Sequence, residues 1–98
     1  MQTRALESLV AIVEKGGISR AAAHLGVSQP AVSKQVARLE EELGVELLER
    51  GHARSVLTTQ GEIVYEYAIA VLGRLEAMQR SVSESLQQVA GSITVAAS

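Results

Sequence analysis

Cysteine, tryptophan, phenylalanine and aspartate are absent from these 98 residues, proline occurs once and tyrosine twice. Without cysteine there is no disulfide, no thiolate metal site and no thiol nucleophile. Without tryptophan or phenylalanine the core falls to Leu, Val, Ile and Ala, a composition that favours helices. No apolar run approaches the roughly 18 residues of a membrane span, and the amino terminus has no signal-like apolar core, so no membrane partner and a cytoplasmic address are expected. His24 and His52, with glutamates at scattered spacing, make no metal-ligand pattern, and no Ser, His and carboxylate constellation stands out. The Gly16-Gly17 pair follows no strand and opens no Gly-x-Gly-x-x-Gly run. Neither catalytic residues nor a metal or cofactor are expected, and the length suits one small domain.

The net charge of -2 is unevenly laid down. Lys15, Arg20, Lys34 and Arg38 fall in an acid-free stretch of residues 15 to 39, and Arg50 and Arg54 in a second from 50 to 61. Between them lie Glu40, Glu41, Glu42, Glu46 and Glu49. Cations kept clear of carboxylates mark a surface that faces an anion.

Leu6, Leu9, Val10 and Val13 recur at helical spacing and predict a first helix over residues 3–15, stopped by Gly16-Gly17. Ser19 is placed to cap a short second helix that runs to Leu25 and ends at Gly26. Ser28 then caps a third helix, with Pro30 in its first turn, running to Leu43 before Gly44. On that helix Val32, Val36, Leu39 and Leu43 form one narrow stripe, the expected buried side. The opposite side carries Pro30, Ser33, Lys34, Ala37 and Arg38, with Gln29 at the tip.

A short helix, a tight turn and a second helix with a polar, basic amino end is helix-turn-helix logic, the arrangement that lets the second helix enter a major groove. Short side chains that donate and accept suit base edges there, and glutamine bonds an adenine edge at two points. Lys34 and Arg38 suit phosphates. Ser28 has a structural task as cap whatever else it does, and Arg38 divides evenly between phosphate contact and an ion pair with Glu41 or Glu42. Arg20 is a weaker phosphate candidate, since an exposed helical arginine is usually just solvated.

Glu46 to Arg50 and Ser55 to Leu57, separated by Gly51-His52-Ala53-Arg54, predict a two-stranded hairpin with a basic tip. A fourth helix follows, capped by Thr58 or by Thr59 with Glu62, and uninterrupted by proline up to Gly91. At roughly 31 residues it spans about 46 Å. Its apolar positions Val64, Ala68, Val71, Leu75, Met78 and Val82 alternate by four and three, more stripe than so small a body covers. Ile63, Tyr67 and Leu72 are expected against the body, and the stripe against the same helix of a second chain. Residues 92–98 read as a lone strand, as though the chain were cut from something longer.

Residues 18–37, and in particular Val27-Ser28-Gln29-Pro30-Ala31-Val32-Ser33-Lys34-Gln35-Val36, resemble LysR-type transcriptional regulators. Leu39-Glu40-Glu41-Glu42-Leu43-Gly44-Val45, Leu48-Glu49-Arg50, and Leu57-Thr58 with Gly61 extend the resemblance to about residue 90. It implies a mainly α fold, a winged helix-turn-helix over 1–58 with a small β-hairpin wing, then a linker and dimerisation helix over 59–90. Residues 91–98 would begin an effector-binding domain, the part that recognises a small molecule. The resemblance further implies binding to double-stranded operator DNA, with Gln29, Pro30 and Ser33 at base edges, Ser28 and Lys34 at the backbone, and Arg50 and Arg54 on the wing. It implies a homodimer through the linker helix and a tetramer of the full-length protein. Leu48 stands where the family usually has Phe, Thr59 where Pro commonly opens the helix, and Val10 where an aromatic often packs. The competing reading is a helical dimerisation and protein-interaction module whose helix-turn-helix is vestigial or contacts protein instead of DNA.

Overall fold

The computed structural model describes residues 1–49, 51 and 56–97, with side chains through Gln88. Helices α1 (Thr3–Lys15), α2 (Ile18–Leu25) and α3 (Gln29–Leu43) are followed by strands β1 (Leu48–Glu49) and β2 (Val56–Leu57) and by α4 (Thr59–Ala97). This is a mainly α winged helix-turn-helix with a long carboxy-terminal helix. Among the described residues no helix is long and apolar enough to cross a membrane.

Helices α1 to α3, the hairpin and the first turns of α4 pack into one body, the head, and α1 is its shared wall. Its Leu6 and Leu9 pack with Leu39, Leu47 and Ala68, while Ala11 and Ile12 pack with Ala21, Ala22, Val32 and Val36. Two apolar clusters on one helix explain why α1 buries more than a single narrow stripe. The small Ala21 and Ala22 let α2 lie close against it. Gly17, not Ser19, stands at the amino end of α2, and no side chain caps that end. Gly26 closes the helix at φ 70, a left-handed conformation that glycine reaches at little steric cost. Val27 N–H then donates to Ala22 O at 3.1 Å. Ser28 opens α3 as expected, its Oγ accepting from Ala31 N–H at 3.2 Å.

On α3 the buried side is Val32, Val36 and Leu39, whereas Leu43 is left 40% exposed. The chain turns at Gly44, and Val45 and Leu47 fill the core that Leu43 was expected to reach. Glu40 holds the turn: its Oε2 accepts from Leu47 N–H at 2.8 Å and Leu48 N–H at 3.4 Å. From the other side Thr58 N–H donates to Leu47 O at 2.9 Å. Thr58 is also the cap of α4, accepting from Gly61 N–H at 2.9 Å while its hydroxyl donates to Glu46 O at 2.6 Å, so the Thr59–Glu62 alternative is not used. Gly61 is buried against this junction, where a Cβ would collide with the Leu47 carbonyl.

Two expectations for α4 are corrected. Val64 and Ala68 belong to the core of the head, Ala68 being 1% exposed, while Ile63 and Tyr67 are 53% and 70% exposed. Gly61, Val64, Ala68 and Leu72 share the face that meets the head, so the stripe is divided along the helix and not around it. Nor is the strand expected at 92–98 formed over its described residues, 92–97, because α4 runs through Gly91 to Ala97. A strand needs a neighbour for its backbone groups, and a continuing helix satisfies them within its own chain. The result is an elongated body of 66 × 25 × 18 Å.

Candidate nucleic-acid interface

Burial of Val32, Val36 and Leu39 fixes which way α3 faces, and its outer side is thereby turned to solvent. Ser28, Gln29, Pro30, Ser33, Lys34 and Arg38 are all exposed there. A capped amino end, with the partial positive charge of the helix dipole, points the same way. The Ser28 hydroxyl accepts from Ala31 N–H and keeps its own hydrogen to donate. Gln29 Nε2 donates to Ser19 Oγ at 3.2 Å, which ties the tip of α3 to the first turn of α2. Arg20, next to Ser19, is exposed as well.

Charge along α3 is polarised. Lys34 and Arg38 lie on the outer side, and two of the three acids at its carboxy end are engaged elsewhere: Glu40 with the Leu47 and Leu48 amides, Glu42 with the Met1 ammonium at 3.3 Å. Those partners offset placing carboxylates at the negative end of a helix. Among the described residues no ion pair joins Arg38 to Glu41 or Glu42, so its guanidinium stays available to an outside anion. The surface thus offers an amide, hydroxyls, a flat apolar proline ring and two cations on one helix face, the mixture that reads base edges and neutralises phosphates.

The wing pairs β1 with β2 antiparallel, Leu48 opposite Leu57 and Glu49 opposite Val56. Leu48 and Leu57 are half-buried and Glu49 and Val56 exposed, so the hairpin rests one face on the head. Leu48 touches both core clusters. Arg50 and Arg54, expected on the wing, lie outside the described residues.

Of the expected dimerisation positions, Val64 and Ala68 are taken into the head, and Leu75 is half-buried. Val71, Met78 and Val82 are 42%, 55% and 55% exposed, and with Ala70, Arg74 and Leu75 the first two line a shallow groove. Sequence reasoning missed the Ser19–Gln29 bond and the Glu40 clasp. The only signal for the first was Gly17, whose position removes the need for Ser19 as a cap. The clasp joins groups seven and eight residues apart across a turn, and no periodicity reports it.

Residues 3–62 match the bacterial regulatory helix-turn-helix proteins of the lysR family. The transcriptional regulator BenM of Acinetobacter baylyi is 42% identical over 78 residues, which is 80% of this chain and 26% of BenM. The crystal structure of the BenM DBD with catB site 1 DNA superposes with a TM-score of 0.82 at 39% identity, covering 86% of this chain and 93% of that one. A CbnR DBD–DNA complex gives a TM-score of 0.74 at 38% identity, covering 85% and 99%. The chain therefore spans about a quarter of the length of the curated relatives it matches first.

Proposed function

We propose the function on one premise: the chain belongs to the lysR family of bacterial regulatory helix-turn-helix proteins. It is the operator-binding and dimerising portion of a transcription regulator and has no enzymatic task. Helix α3 enters the major groove, with Gln29, Pro30 and Ser33 at base edges and Ser28, Lys34 and Arg38 at phosphates. Arg20 adds a phosphate contact from α2, and the wing carries Arg50 and Arg54 to the neighbouring minor groove. Residues 1–58, with Val64 and Ala68 of α4 packed into their core, form the reading head, and 59–90 is the linker helix that pairs two chains through Val71, Leu75, Met78 and Val82, so that two heads meet two half-sites. Residues 91–98 lead to an effector-binding domain that takes the small molecule, and the full-length protein is a tetramer acting on DNA in the cytoplasm.

The observation that carries this reading is the outer side of α3, where every polar and cationic residue named is exposed and no carboxylate intervenes before Glu40. Titration of fluorescent duplexes selected by the chain from a random library tests it. Binding should fall steeply with added salt as counterions are released. Gln29→Ala should cost about 1 to 3 kcal/mol on the selected site and relax one position, whereas Lys34→Ala should weaken all duplexes alike. Absence of duplex binding even at low salt would sink the proposal, and equal losses from both variants on every duplex would sink the division of roles.

A further inference from the structure

Ser19 sits in the first turn of α2, two residues past the N-cap position from which a serine hydroxyl accepts from a helix amide. Gly17 opens that helix without a side-chain cap, and the Ser19 oxygen accepts instead from Gln29 Nε2 at 3.2 Å, ten residues along the chain. Resting on the function proposed above, we propose that Ser19 is a positioning residue for base readout. It holds the Gln29 amide in place before DNA arrives and so sharpens discrimination at the base pair Gln29 reads, without touching a base itself.

The surroundings of Gln29 suit this role. Its backbone is already restrained, since Ser28 caps the helix immediately before it and Pro30 has a fixed φ immediately after it. The freedom left is in its three side-chain torsions, which a base contact would have to arrest. Ser19 arrests them from a stable platform, because Ala21 and Ala22, two and three residues further along α2, are buried against α1 at 0% and 3% exposure. The chemistry leaves the reading groups intact. An amide has two hydrogens and one oxygen, so donating one hydrogen to Ser19 leaves a donor and an acceptor, the pair an adenine edge requires. Both residues are exposed in the free chain, where water competes with the bond; exclusion of water in an occupied groove strengthens it.

A tie between α2 and α3 that served stability alone would behave differently, and specificity separates the two. A site enriched from a random duplex library by the wild-type chain is varied one base pair at a time and titrated at fixed salt against Ser19→Ala, Ser19→Thr, Gln29→Ala and the Ser19→Ala/Gln29→Ala pair. Ser19→Ala should lower the preference at the Gln29-dependent position by about three- to tenfold. Preferences elsewhere, affinity for unrelated duplex and the salt slope should hold. Ser19→Thr, which keeps the hydroxyl, should restore the preference, and the pair should lose no more than Gln29→Ala alone. If Ser19→Ala leaves that preference intact, or weakens every duplex in proportion to a lowered melting temperature, the positioning role is refuted while DNA binding stands. A wild-type chain that distinguishes no duplex from any other overturns the parent reading and this one together.

Discussion

The head and the outer half of α4 obey the same amphipathic rule and end differently. In the head, Leu9, Val32, Leu39 and Leu47 are 0% exposed, each stripe having found a facing stripe in the same chain. Beyond Leu72, the continuing stripe of α4 leaves Met78, Val82 and Leu86 at 55%, 55% and 66% exposure. Apolar periodicity thus states that a face will be covered, and chain length decides whether the same molecule can cover it. The head covers its own apolar faces, while the arm leaves its stripe uncovered within the chain.

The largest effect belongs to the closed region. Leu39→Ala removes a fully buried side chain from the back of the reading helix, where it packs with Leu6, Leu9, Leu47 and Ala68. A loss of about 2 to 5 kcal/mol is expected in urea unfolding, with duplex binding falling as the head unfolds. A loss under about 1 kcal/mol would mean that the head is not a closed unit.

Next comes the junction between the two regions. Gly61→Ala places a methyl where the Leu47 carbonyl already lies, and the neighbour is backbone, tied to Glu40 of α3 by the Leu47 amide. Overpacking of this kind costs about 1 to 3 kcal/mol by denaturation, through a shift of α4 away from the head. An unchanged midpoint would show that the arm is not fixed to the head at this point.

The same contrast explains what was legible in the sequence. Local signals announced the three head helices: Ser28 as a cap, Gly16, Gly26 and Gly44 as stops, and Val32, Val36 and Leu39 as the buried side, from which the outer face followed by subtraction. Leu43, Val64 and Ala68 were misplaced because their burial depends on where other elements end. Leu43 loses its place to residues beyond Gly44, and Ala68 gains one because α4 passes α1 at that height. The Ser19–Gln29 bond, hinted at only by Gly17, and the Glu40–Leu47 bond were hard to foresee for the same reason: each joins groups seven or more residues apart whose distance only the packed head sets.

The smallest expected effect on the head comes from the arm and is the sharpest test of the contrast. Leu75→Glu is an obvious way to spoil a helix pair, but Leu75 also borders Thr3 and Glu7 of α1, so a charge there disturbs both regions. Met78 is the cleaner probe, since the groove it lines is formed by α4 alone and it is 55% exposed in the single chain. A glutamate at an exposed helical position changes the stability of an isolated chain by less than about 0.5 kcal/mol. In a pair of arms the same carboxylate is drawn out of water onto an apolar face, a cost that the Arg74 guanidinium lining the same groove offsets only in part, and association weakens. Met78→Glu should therefore halve the mass in sedimentation while unfolding of the head, measured dilute enough that both proteins are monomers, stays where it was. A dimer that persists would place the contact on another face of α4. A head that loosens with it would show that the arm is part of the folded unit, and the two regions would then have to be treated as one.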